Sequence, residues 1–192
     1  MNGDVGSVAL LSMFGVVLFG SIIPIVPTGP AVSAAAVLAR ANHPWEIVLV
    51  VLVGGTGAYL GDLTTYVVLR SAGTPLAQRI GWLNADDPEG TLARLRARIE
   101  RNEVRALLLS RLVPAGRIPV LLAASLGGYP VARFVTAAIP AAMLWAVMYA
   151  AIGALGNSLF PDTRTALVVA VAVAALVGVG LPLLRRRRTA RP

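Results

Sequence analysis

The chain has 192 residues, 57% of them hydrophobic and 14% charged, with a mean hydropathy of +0.76. A soluble domain of this size cannot bury so much apolar surface, so composition excludes the soluble classes and predicts an integral membrane protein. The formal net charge of +8 comes from 17 arginines and no lysine; they cluster at Arg94–Arg105 and Arg185–Arg191 beside apolar runs. That placement reads as cytoplasmic anchoring next to anionic lipid, not as nucleic-acid binding. The absence of cysteine removes disulfides, thiol catalysis and thiolate metal sites.

A single membrane domain over 1–192 is expected. Residues 8–23 form an apolar helix behind a polar cap; no basic n-region or small-residue cleavage site marks a cleaved signal, so the helix is expected to remain. In residues 22–40, Pro24, Pro27, Gly29 and Pro30 crowd into seven positions. Proline inside a helix removes a backbone hydrogen bond and clashes with the preceding turn, so this segment reads as a broken, re-entrant hairpin entering from outside. Residues 45–70 supply a spanning helix of the roughly 20 residues that a bilayer requires. Gly54, Gly57 and Gly61 give it a small-residue face for close helix approach, Asp62 follows, and Tyr66 lies one turn further on the same side. Residues 74–105 turn polar, as a cytoplasmic surface connector whose Leu92, Leu95 and Ile99 form one apolar side.

Residues 106–128 carry the sharpest chemical problem. The run SRLVPAGRIPVLLAASLGG places Arg111 and Arg117, with Pro114, Gly116 and Pro119, in a segment otherwise apolar enough for a membrane. Two charges facing lipid would cost several kcal/mol, so a second re-entrant hairpin is expected, entering from the cytoplasmic side with its arginines toward a cavity. Residues 135–159 and 165–184 then span, and 185–192 is a basic cytoplasmic tail. A hairpin followed by a spanning helix thus occurs twice with opposite orientation. The fold class is all-α, a polytopic membrane protein with the inverted repeat known from secondary transporters.

Arginine is planar, permanently charged and able to bind phosphate oxygens through paired hydrogen bonds, which makes Arg111 and Arg117 a candidate anion site. The alternative is a structural pairing with Asp62 or snorkelling to the interface. Asp62 reads as a proton-coupling group or as a structural partner of an arginine or of Tyr66. The breaks at Pro24, Pro27, Gly29, Pro30, Pro114, Gly116 and Pro119 read chiefly as shape-forming. His43, the only histidine, reads as an interfacial residue. Lipid phosphatases need two histidines and intramembrane metalloproteases several ligands, so an enzyme, a metal or a cofactor is not expected.

Two segments carry a family resemblance. GAYLGDLTTYVVLRSAG resembles the G-x-x-x-G-D…Y…G segment of the DedA family, and SRLVPAGRIPVLLAASLGGYPVARF resembles its R-x-x-P-x-x-R…G…F segment. The match spans about Ser21 to Gly156. The resemblance implies a VTT-domain protein of the bacterial inner membrane, multi-pass with a cytoplasmic C-terminus. It further implies flipping of a lipid phosphate, chiefly undecaprenyl phosphate, often linked to the proton gradient. By resemblance Arg111 and Arg117 match the family's functional arginines and Asp62 its glycine-aspartate. The departure lies in the first hairpin, where many members carry acids and this chain has Gly20, Ser21 and PTGPAVS. Passive phospholipid scrambling and small-anion or proton-coupled transport are the alternatives on the same fold; oligomeric state stays open.

Overall fold

The computed structural model describes residues 2–23, 28–43, 45–79, 88–112, 116–160 and 162–176, and these form eight helices and no strand. In chain order they are α1 (Asn2–Ile22), α2 (Gly29–Asn42), α3 (Glu46–Arg79), α4 (Pro88–Arg101), α5 (Glu103–Leu112), α6 (Arg117–Leu126), α7 (Val131–Leu159) and α8 (Thr163–Ala175). Two of them, over Glu46–Gly73 and Val131–Leu159, are long and apolar enough to cross a membrane, at 28 and 29 residues. The apolar parts of α1, α6 and α8 are shorter.

The local chemistry explains most boundaries, and several differ from the sequence-based expectation. Gly29 and Pro30 do not interrupt a helix; they begin α2. Proline is tolerated there because the first-turn N–H groups have no partner inside the helix in any case. Gly116 likewise caps α6, and Pro119 falls in that helix's first turn. Pro24, Pro27 and Pro114 lie outside the described residues. Helix α3 runs past the expected end at residue 70, with its geometry broken at Gly73, whose φ of 69° and ψ of −169° suit glycine, two residues before Pro75. Helix α7 starts four residues earlier than expected, at Val131. Helix α8 starts behind Asp162, whose carboxylate accepts hydrogen bonds from the Thr165 N–H at 2.9 Å and hydroxyl at 2.8 Å. The expected end of the last helix and the basic tail fall outside the described residues. In the connector, Ile99 of α4, expected on a side facing the membrane surface, is instead buried in a core cluster of the protein.

Small residues set the close approaches. A Cβ on Gly61 would strike the Ser21 side chain and come within 2.9 Å of the Leu18 carbonyl oxygen, and one on Gly57 would press on Phe14, so the glycine face of α3 receives α1. Gly153 of α7 similarly lies against the Ser33 carbonyl of α2, and the Ser33 hydroxyl donates to the Tyr149 carbonyl at 2.8 Å. Helices α1 and α5 pack on α3 and α7 respectively, while α2 packs on α7 and α6 on α3. Helix α4 lies on α6, and α8 on α2 and α7. Inside, Val17, Val32, Ala58, Trp145 and Tyr149 belong to one core cluster, and Tyr66, Leu121, Tyr129 and Phe134 to another. Outward faces carry Leu11, Phe19, Leu52, Val67, Leu144, Leu155 and Val168, the apolar exterior that lipid would cover.

Candidate functional site

Asp62 is well inside α3, one position past Gly61, and its carboxylate is 5% exposed. A lone buried carboxylate would be costly unless paired and hydrogen-bonded. Two arginines meet it. Arg111, near the end of α5, donates from one terminal nitrogen to Oδ2, and Arg117, the first residue of α6, donates from one terminal nitrogen to Oδ1. The break between α5 and α6 is what allows two cations six residues apart to turn toward one carboxylate.

Each arginine also reaches a backbone carbonyl on another helix. Arg111 Nη2 donates to the Ala58 oxygen at 2.9 Å, one turn before Asp62 on α3. Arg117 Nη2 donates to the Ser21 oxygen at 2.8 Å, near the end of α1. The Arg111 guanidinium also lies 5.5 Å from the Trp145 ring centroid, a cation–π placement contributed by α7. The site therefore gathers α1, α3, α5, α6 and α7. The Arg111 side chain is 2% exposed and that of Arg117 11%. The arginines, expected to face a cavity, instead close onto Asp62, because a carboxylate within reach neutralises part of their charge in a medium of low dielectric.

The pairing is incomplete in two respects. Two guanidiniums and one carboxylate leave one net positive charge in a buried place. Three buried donors at these residues also have no hydrogen-bond partner: Arg111 Nε, Arg117 Nε and the Ser21 hydroxyl. An unmade hydrogen bond at a buried neutral group costs about 1–3 kcal/mol, and more at a charged one. The arrangement is thus short of acceptor oxygens and of negative charge.

Of the other residues singled out from sequence, Tyr66 is not a hydrogen-bond partner of Asp62. Its hydroxyl donates to the Tyr129 carbonyl at 3.3 Å and accepts from Arg70 at 2.9 Å, and its ring stacks on Phe134 at 4.3 Å. One helical turn along α3 carries it into a separate network. His43 caps the C-terminus of α2 and stacks on Trp45 at 6.4 Å. Among the described residues no group of three or more His, Cys, Asp or Glu side chains is placed to hold a metal ion. Ser21, the Ala58 carbonyl and Trp145 are the members of the site that sequence reasoning did not assign to it. The Gly61 spacing announced a close helix contact there, but not which helix would come.

A family model described as the VTT domain matches residues 10–155, a span that includes Ser21, Asp62, Arg111, Arg117 and Trp145. No curated protein and no solved structure matches the chain.

Proposed function

Because the chain belongs to the VTT-domain family, the domain of the DedA proteins, we propose that it flips a lipid phosphate, most specifically undecaprenyl phosphate, by exchanging the Asp62 carboxylate for the lipid's phosphate between Arg111 and Arg117. Membership implies a transporter-type role in a membrane. The observation that carries the finer reading is the buried pair of arginines sharing a single carboxylate, with one positive charge in excess and an unpartnered Nε on each. A phosphate monoester brings the missing charge and oxygens, and guanidinium binds it with two parallel hydrogen bonds. Asp62 acts as the occupant of the empty site: it holds both cations until the ligand arrives and takes them back when the ligand leaves. The isoprenoid tail stays in lipid while the head group crosses.

Helix packing supports two opposed halves. Exchanging α1–α4 with α5–α8 maps the α1–α3 contact onto α5–α7, the α2–α7 contact onto α6–α3, and the α8–α2 contact onto α4–α6, while α2–α3 and α7–α8 have no comparable counterpart among the described residues. Such a relation fits an inverted repeat of hairpin plus spanning helix, with the site between the two halves. With positively charged segments inside, the reading places the chain in a bacterial inner membrane with 74–105 and 185–192 in the cytoplasm.

The test is leaflet-to-leaflet movement of undecaprenyl phosphate in proteoliposomes, for wild type and Arg117→Ala, with and without a pH gradient. Movement that requires Arg117 is the expected result; equal movement by the variant removes the phosphate site. One observation favours a passive variant: the residue that α1 brings to Arg117 is Ser21, a neutral group. In that case the movement is indifferent to the gradient.

A further inference from the structure

Hydroxyl side chains in these helices have an easy local partner, the carbonyl one turn back. Thr64, Thr65, Ser125, Thr136 and Ser158 all use it, donating to Leu60, Gly61, Leu121, Ala132 and Ala154 at 2.6–3.0 Å. Ser21 does not. It is 0% exposed in a helix, and its hydroxyl has no partner among the described residues. Its own carbonyl is held by Arg117, and its Cβ lies against Gly61, the residue before Asp62. The unsatisfied hydroxyl therefore belongs to the residue at which α1 meets Arg117 and packs on Gly61, next to Asp62.

The closed site is in effect a carboxylate-filled site, and it records what a carboxylate leaves undone. The two oxygens of Asp62 each take one arginine nitrogen, and the Ser21 hydroxyl goes without. A phosphate monoester has three non-bridging oxygens. Two can take the places that Asp62 fills, and the third is left for another donor. We propose that the Ser21 hydroxyl is a ligand contact for that third oxygen, and that it makes the site choose a phosphate amphiphile over a carboxylate one. This rests on the phosphate-site reading above and adds to it the group that sets head-group selectivity. Serine itself does not titrate, so any pH dependence of the contact comes from the second ionisation of the phosphate, at a pKa of about 6.

The experiment is equilibrium binding to the full-length protein in nanodiscs with three probes that share one tail: farnesyl phosphate, farnesoate and the neutral farnesol. Wild type is expected to bind farnesyl phosphate at least about ten-fold tighter than farnesoate, the scale of one hydrogen bond to a charged group. Ser21→Ala is expected to weaken farnesyl phosphate about ten-fold and leave farnesoate unchanged, so that the preference collapses. Its melting temperature should be unchanged or higher, since an unpaired buried hydroxyl has gone. Should Ser21→Ala melt lower, Ser21→Cys keeps the volume with a weak donor and is expected to show the same loss of preference. Farnesyl phosphate binding by Ser21→Ala equal to wild type, with Arg117→Ala abolishing it, overturns the Ser21 assignment alone. Equal weakening of both anionic probes by Ser21→Ala does the same. Wild-type binding of farnesyl phosphate no tighter than farnesol overturns the phosphate site, and Ser21 falls with it.

Discussion

Asp62 holds two guanidiniums with one carboxylate, and this makes it both a structural keystone and a competitor of the ligand. Removing one partner of a buried ion pair costs about 3–5 kcal/mol, since an uncompensated charge stays behind. Asp62→Asn is therefore expected to lower the melting temperature of the empty protein, yet to be stabilised more than wild type by farnesyl phosphate, which supplies the missing charge. A variant that the ligand does not rescue would show that Asp62 is no stand-in for it. Arg111→Ala and Arg117→Ala are each expected to abolish undecaprenyl phosphate movement while the protein still inserts, as proteoliposome assay and membrane fractionation would report. Both arginines and Asp62 were legible in the sequence, because charge within an apolar run is costly and has to be accounted for. That one carboxylate serves both cations at once stood only as an alternative, since the pairing joins α3 to the end of α5 and the start of α6. Ser21 was noticed only as an acid's absence; the signal that sets it apart, a hydroxyl without its usual local bond, exists only in three dimensions.

The elements follow from small residues and breakers. Gly61 brings α1 onto α3 at the height of the site, so a side chain there forces the helices apart just where Arg117 reaches the Ser21 carbonyl. Gly61→Val is expected to destabilise by about 1–3 kcal/mol through overpacking, measured by thermal melting, and to reduce transport as well. At Asp162 the hydrogen bonds from the Thr165 N–H and hydroxyl hold the carboxyl below its ordinary 3.8. Because the folded value is depressed, its contribution is present above 3.8 and is lost as pH falls through the lower folded value. Protection of the Thr165 amide from hydrogen exchange should therefore fade in acid in wild type, while Asp162→Asn shows no such step. The breakers divide by kind in the fold: Gly29 and Pro30 start a helix, while Gly73 interrupts α3 with a non-helical backbone, and a second helical stretch follows it to Arg79. A proline does not by itself tell which use is made of it: Pro30 opens α2, while Pro140 sits within α7 and the helix passes through it.

Across the whole molecule, membrane residence was legible from composition alone and the long spans at 46–73 and 131–159 from their length. The order of packing was not, because apolar faces rich in alanine accept several neighbours. With no native cysteine, single thiols report sidedness cleanly. Arg101→Cys is expected to react with an impermeant maleimide only from the cytoplasmic side, and Ser158→Cys only from outside; the reverse result would invert the topology. The packing of α2 also bears on how the chain is made. Helix α2 finds its principal cover on α7 and α8, which are synthesised well after it. Helix α2 is thus synthesised early and covered late, so that Ser33 and Gly29 must wait for Tyr149 of α7. A chain cut short before Val131 would carry both arginines and Asp62 yet leave α2 open to lipid and proteases, which makes the C-terminal third the part that cellular quality control would inspect.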